Sequence, residues 1–242
     1  MMKKVFRLIY NLVPLTFINI LRRVRDFYQW DIYCQKSWSQ EGEDLILSRY
    51  FENLKTNGFY VDVGAHHPLR FSNTYKFYRQ GWRGINIDAM PGSMDLFNRL
   101  RPRDINLEKA VSDSKQIMTY YAFNEPALNG FSKELTEHRN GQANNKIIFK
   151  KDIETSTLEE ILDQYMPKDQ KIDFLSVDVE GLDFAVLKSN NWAKYAPEVI
   201  LIEILGSTLD ELLDGEVTIF LKKFGYTIYA KSINTVIFKS RG

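Results

Sequence analysis

Four short apolar runs in this chain each reach an acidic residue at their carboxyl end: Val61-Asp62-Val63-Gly64, Ile85-Asn86-Ile87-Asp88, Phe174-Leu175-Ser176-Val177-Asp178 and Val199-Ile200-Leu201-Ile202-Glu203. A charge inside such a run is costly unless it is paired or put to use. Short apolar runs bounded by glycine or polar residues read as buried strands. The segments between them carry helical spacing. Repeated strand–helix–strand units imply an α/β fold, with a mostly parallel twisted sheet and helices on both faces. In such a sheet, ligands bind beyond the carboxyl ends of the strands, near the point where strand order reverses. The four acids would then share one crevice.

The pattern predicts helices over 43–55, 72–80, 91–100, 156–165, 182–189 and 216–224. It predicts strands over 59–63, 84–88, 105–111, 116–123, 146–153, 172–178 and 198–204. Pro91 suits the first turn of its helix. Ser156, with Glu159 three residues on, reads as a capping box. Residues 116–123 alternate as an antiparallel strand does. The stretch 124–145 carries Asn, Gly, Pro and charge, and reads as a long excursion over the strand ends, where loops shape acceptor pockets. Two last strands, 226–230 and 235–239, flank a short turn and predict a C-terminal antiparallel hairpin.

Charge divides the chain. Its 32 Lys and Arg against 31 Asp and Glu leave a net +1 over 242 residues, which does not point to nucleic acid. Within residues 1–37, however, Lys3, Lys4, Arg7, Arg22, Arg23, Arg25 and Lys36 face only Asp26 and Asp31, a local +5. The rest is therefore mildly acidic. A single cysteine, Cys34, excludes an intramolecular disulfide framework and a multi-cysteine zinc site. Apolar residues at 5, 8, 9 and 12, then at 17, 20, 21 and 24, follow helical spacing broken at Pro14. The first glycine is Gly42 and the first alanine Ala65, so signal cleavage after Leu21 is not expected. Arg7, Asn11, Pro14 and Asn19 interrupt a segment already short for a membrane span. The expectation is a basic amphipathic arm over 1–37 ahead of one domain over 38–242, in a cytoplasmic protein. The arm either packs on the domain or on a second subunit of a homo-oligomer, or lies through residues 1–30 on an anionic membrane surface.

Gly64 and Ala65 let a ligand approach the backbone, and Asp62 stands at the same strand end. Asp88 follows Gly64 by 24 residues, the interval at which an acid grips a ribose diol. The three-glycine dinucleotide fingerprint is absent, because His66, His67 and Pro68 fill the later positions. A ligand with a ribose and no pyrophosphate is favoured, and S-adenosylmethionine is such a ligand. Each feature also has a bland reading. A glycine after a strand makes a tight turn, and strand-end acids such as Asp178, Glu180 and Glu203 also serve in structural ion pairs.

Five blocks occur in one order: Ser39-Gln40-Glu41-Gly42-Glu43-Asp44; Gly58-Phe59-Tyr60-Val61-Asp62-Val63-Gly64-Ala65-His66-His67-Pro68; Ser72-Asn73-Thr74; Gly81-Trp82-Arg83-Gly84-Ile85-Asn86-Ile87-Asp88-Ala89; and Ile172-Asp173-Phe174-Leu175-Ser176-Val177-Asp178-Val179-Glu180-Gly181. Over residues 37–205 the chain resembles the FkbM family of S-adenosylmethionine-dependent methyltransferases. The resemblance implies a Rossmann-like class I methyltransferase fold. It also implies methyl transfer to a hydroxyl of a sugar, a glycan precursor or a related metabolite. It assigns Asp62, Gly64 and Ala65 to the methionine part of the cofactor, Asp88 with Ala89 to the ribose, and Ala110, Val111 and Ser112 to the adenine. Asp178 would sit near the sulfonium and the acceptor. The family's turn is often richer in glycine than His66-His67-Pro68. Gln40 reads as part of a polar lid reaching the cofactor. With Glu43 and Asp44 it reads equally as the first turn of a helix.

An acceptor hydroxyl is a poor nucleophile until a base takes its proton or a metal lowers its pKa. The candidate bases are His67, in the turn beside the cofactor, and Asp178. His67 suits hydrogen bonding within its own loop as well. Asp178, Glu180 and Glu203 would suit a divalent cation such as magnesium, which takes oxygen ligands. Tyr60 and Trp82 read as core aromatics more readily than as sugar platforms. Two other classes stay open: a non-catalytic or membrane-peripheral binding module on the same fold, and a nicotinamide-dependent oxidoreductase, against which the missing glycines count.

Overall fold

The computed structural model describes residues 14–27, 34–52 and 57–241. Contacts divide the chain into two units, Met1–Lys36 and Ser37–Gly242. In the first, helix α1 (Leu15–Phe27) starts directly after Pro14, whose carbonyl accepts the Phe17 N–H at 2.9 Å. Leu15, Phe17, Ile20 and Leu21 are exposed on it. The apolar positions 5, 8, 9 and 12 of the expected arm lie outside the described residues. No described helix is long and apolar enough to cross a membrane.

The second unit opens with α2 (Glu43–Phe51), β1 (Phe59–Val63), α3 (Tyr75–Arg79), β2 (Arg83–Asp88), α4 (Ser93–Leu100) and β3 (Ile105–Glu108). Then come β4 (Ala110–Val111), β5 (Ile117–Phe123), a 3-10 turn (Pro126–Leu128), α5 (Lys133–Arg139) and β6 (Ile147–Ser156). It closes with α6 (Leu158–Tyr165), β7 (Phe174–Val177), α7 (Asp183–Lys188), β8 (Val199–Glu203), α8 (Leu209–Asp214), α9 (Glu216–Lys222), β9 (Tyr226–Lys231) and β10 (Thr235–Ser240). The main sheet runs β3-β2-β1-β7-β8-β10-β9, parallel except for β10, which is antiparallel to both neighbours. The expected hairpin is therefore present at its edge.

Several expected elements shift for local reasons. The strand expected over 105–111 is two strands, because the chain changes sheets at Lys109, whose N–H bonds the Asp88 carbonyl. β4 then pairs with β6 in a second sheet of order β4-β6-β5. The capping box falls one residue later than expected: Thr157 and Glu160 cap α6, while Ser156 ends β6 opposite Val111. The helices expected from 72 and 91 begin at Tyr75 and Ser93. The excursion contains α5, started by Ser132, whose hydroxyl accepts the Leu135 N–H. Helix α8, with its own capping box from Thr208 and Glu211, was not anticipated. Residues 53–55 of the first expected helix lie outside the described residues.

Side-chain alternation along β1 builds two cores. Phe59, Val61 and Val63 join α6, α7 and β8 in one, and Tyr60 joins Leu47, Phe51, Phe77, Trp82 and Phe174 in the other. Tyr60 and Trp82 are thus core residues, as their sequence setting suggested. Beside Tyr60 lies a buried polar network. Arg101 Nε donates to Asp104 Oδ2 at 2.9 Å, and its Nη2 donates to the Tyr60 hydroxyl at 2.7 Å and to Thr74 Oγ1 at 3.0 Å. Asp104 also accepts from the Gly84 N–H at 2.9 Å and from Asn86 Nδ2 at 3.0 Å, which ties α4 to β2. The ion-pair side chains are fully buried, so removing one partner strands a charge. Asp104→Ala is expected to lower unfolding free energy by about 3–5 kcal/mol in a urea titration.

Candidate active site

Strand order reverses between β1 and β7, which pair directly. Val63 stands opposite both Ile87 and Val177, and Val177 stands opposite Ile202. The residues that follow, Gly64, Asp88, Asp178 and Glu203, therefore form a row along the carboxyl edge of the sheet. A solvent-open cleft lies over this row, where open α/β sheets place their ligands. Gln40, Gly64, Asp88, Ala89, Val111, Asp178 and Glu180 line it.

Gly64 has φ +82°, and a Cβ there would lie 1.7 Å from the Asp178 carbonyl oxygen. The turns after β1 and β7 meet at that contact. Asp88 has a fixed carboxylate. Its Oδ2 accepts the His66 N–H and its Oδ1 accepts the Met90 N–H, both at 2.8 Å. Each oxygen keeps a lone pair for a further donor. Burial raises the Asp88 pKa, and these hydrogen bonds oppose the rise.

Beyond Asp88 and Gly64, Asp178, Glu180 and Glu203 each bring a carboxylate oxygen within 4.8 Å of the others. Asp178 reaches solvent through the cleft. Its carboxyl is nonetheless held well above the ordinary range, by desolvation first and then by repulsion from Glu203, Asp183 and Glu180. Solvent access moderates the first cause, so crowding by like charges is the one that stands. Glu203 is pushed up to about 8, by burial and then by Glu180 and Asp183. Arg139 supplies countercharge, with Nη1 at 2.5 Å from Glu180.

Two ion pairs hold the excursion over the cleft. One is Arg139–Glu180. The other joins Arg70, just past the turn after β1, to Glu125 at 2.8 Å. The backbone of Gly130 packs so close to Glu180 that an added Cβ would lie 3.0 Å from the Glu180 Cβ. Across the cleft, Asp44 accepts hydrogen bonds from Ser37, Trp38 and Ser39. Glu41 accepts from Ser232 and the Asn234 N–H, and Glu43 from Thr235. These carboxylates peg the segment before α2 to the β9–β10 hairpin and hold Gln40 at the cleft wall. Glu43 and Asp44 thus open the helix and secure the loop at once.

Other expected site residues lie elsewhere. Asp62, alternating away from Val63, accepts from Thr74 Oγ1 at 2.9 Å and joins the buried network near Arg101. Ala65 packs with Met94 and Phe97, and Ala110 packs with Tyr120, Ala122 and Phe131, both behind the cleft wall. Ser112 is buried, with its N–H on the Ser156 carbonyl. His67 does not line the cleft. Its Nδ1 accepts the N–H groups of Leu69 and Arg70, both at 3.0 Å. The ring proton therefore sits on Nε2, and no nitrogen is left to act as a base. Its neighbour His66, not singled out from sequence, lines the cleft instead. His66 has φ 53°, its ring stacks on Phe71 at 6.2 Å, and its buried Nε2 has no partner. Burial and Arg70 push its pKa down to about 4. A non-glycine residue in this backbone region beside a cleft stores strain of the kind that gathers at functional sites. Tyr120 and Asn129 also line the cleft, and no motif announced them.

A parallel sheet with a reversed penultimate strand, and acids in a row where its order turns, is the architecture of a class I Rossmann-like methyltransferase. The chain matches the Methyltransferase FkbM domain over residues 62–228 and belongs to that family. No curated protein matches it significantly. Among solved structures, it is similar to a TehB-like SAM-dependent methyltransferase from Corynebacterium glutamicum. That pair shows 12% identity, a TM-score of 0.38, and coverage of 95% of this chain and 100% of that one. It is also similar to a precorrin-6y C5,15-methyltransferase from Geobacter metallireducens, with 14% identity, a TM-score of 0.39, and coverage of 87% and 93%. The family's cofactor is S-adenosylmethionine. The donor set fits it: Asp88 retains acceptor capacity for a diol, and the acids beyond it suit a cationic sulfonium.

Two predictions follow from this geometry. Gly64→Ala forces the two turns apart, and is expected to cost about 2–4 kcal/mol of stability by chemical denaturation. Glu203 has a raised pKa, so the folded protein keeps a proton that the unfolded chain releases between pH 4.5 and about 8. Stability therefore falls as pH rises through that window and levels off above it. Glu203→Gln should remove part of this slope and be more stable than the parent by about 1–2 kcal/mol at high pH, with no gain below pH 4.5.

Proposed function

We propose that this protein is an O-methyltransferase that methylates a hydroxyl of a sugar, a glycan precursor or a related metabolite. The observation that carries the reading is the crowding of Asp178 against Glu203, Asp183 and Glu180 at the cleft floor. A carboxylate whose proton affinity has been raised this way can take a proton from a weakly acidic hydroxyl.

S-adenosylmethionine supplies the electrophilic methyl group when bound. Asp88 would hold the ribose hydroxyls on its free lone pairs, with Ala89 beside it, and Val111 would border the adenine. Gln40 would close the cleft over the cofactor. The excursion, clamped through Arg70 and Arg139, would orient the acceptor and exclude water. Asp178, ionised, would receive the hydroxyl proton, and Glu203 would keep its affinity for that proton high. The same three carboxylates form the oxygen set that a magnesium-like cation takes, with Arg139 competing for Glu180. Turnover retained after chelator treatment would leave the carboxylate base alone responsible.

Calorimetric titration with S-adenosylhomocysteine, beside NAD, tests the cofactor. Binding of the first alone is expected, weakened about 100-fold or more in Asp88→Ala, with thermal unfolding followed in parallel. Equal binding of NAD would overturn the reading. In a screen of hydroxylated acceptors, Asp178→Asn should lose about 100-fold or more in turnover while still binding S-adenosylhomocysteine. Turnover of the parent should rise with pH as the acid cluster ionises, the apparent value belonging to the cluster as a whole.

A further inference from the structure

We propose that helix α1 docks on an anionic lipid surface, with the side chains of Phe17, Ile20 and Leu21 entering the headgroup boundary. This goes beyond the methyl-transfer reading and does not depend on it. The three side chains recur at helical spacing and are each more than half exposed, at 52%, 56% and 52%. Leu15, two residues before Phe17, is exposed as well, at the start of the helix. Arg22 and Arg23 are exposed on the same helix. The sequence to residue 37 carries the +5 noted above, whereas the remainder is acidic. A short helix with a bare apolar stripe, cationic side chains beside it and too little length to span is the form that lies in a membrane interface.

Charge also selects this occupant over a second copy of the arm. Two arms of +5 repel each other. The 13 residues of α1 make fewer than two heptads, too little seam for a stable helix pair. Nor is a helix of this length stable alone in water, where isolated helices below about 12–15 residues are marginal. A surface that takes its apolar side both buries the stripe and supports the helix.

The test is flotation of the full chain with vesicles of phosphatidylcholine alone, or with about 30% phosphatidylglycerol. Binding is expected to the anionic vesicles only, and to fade at about 1 M salt, where charges are screened. The double variants Phe17→Glu/Ile20→Glu and Arg22→Glu/Arg23→Glu should each lower it about tenfold or more. Both should bind S-adenosylhomocysteine like the parent, which confirms that the domain is folded. Absence of vesicle binding, equal binding to both vesicle types, or variants that bind as well as the parent would each overturn the proposal. So would a parent dimer that either variant converts to monomer in sedimentation, since a second copy would then cover the stripe. Methyl transfer to a soluble acceptor is expected to be unchanged in both variants, so the failure of one reading is distinguishable from failure of the other.

Discussion

The backbone contact between Gly64 and the Asp178 carbonyl governs how near the two halves of the sheet's carboxyl edge can come. β1 and β7 are consecutive in the sheet but separated by more than a hundred residues of chain. Their turns must leave the sheet in different directions to reach helices on opposite faces. With no side chain at residue 64, the turns can still touch as they part. The row of acids owes its spacing to that contact and to the register around Val63.

β1 serves two purposes through its alternation. Its Tyr60–Asp62 side faces the Arg101 network, which fastens α4, β2 and the segment around Thr74 together. Its Val61–Val63 side belongs to the opposite core. Rigidity beside Tyr60 and Asp62 therefore comes from buried charge balanced by hydrogen bonds, whereas at the cleft floor the acids crowd without full compensation. The two environments contrast usefully. One set of carboxylates is satisfied and structural, and the other retains unmet affinity for protons and cations.

Much of the frame was legible because apolar period and strand-end acids report burial directly. The runs through Asp62, Asp88, Asp178 and Glu203 proved to be four consecutive strands of the sheet, in the order β2-β1-β7-β8, and the hairpin after them followed from its short turn. Asp62 misled because a strand-end acid and a buried network acid look alike in sequence; Arg101, 39 residues on, decides between them. The choice between His66 and His67 depends on which ring faces the cleft, and adjacent identical residues carry no such signal. Lys109 marks the change of sheet, and the one local signal for it is the charged pair Glu108-Lys109, which breaks the alternation of 105–111 but also fits a single strand with a polar edge. Helix α5 escaped because its seven residues, Lys133–Arg139, are nearly all polar and lack apolar spacing.

The three-stranded β4-β6-β5 sheet has its own ladder, separate from that of the main sheet. Residues can be inserted into or lost from the loops of this small sheet without displacing the register of the seven strands beneath. Length changes in this part of the chain are therefore borne by its own three strands, so the cleft rim around Asn129 and Gly130 can be reshaped while the strand-end acids keep their places.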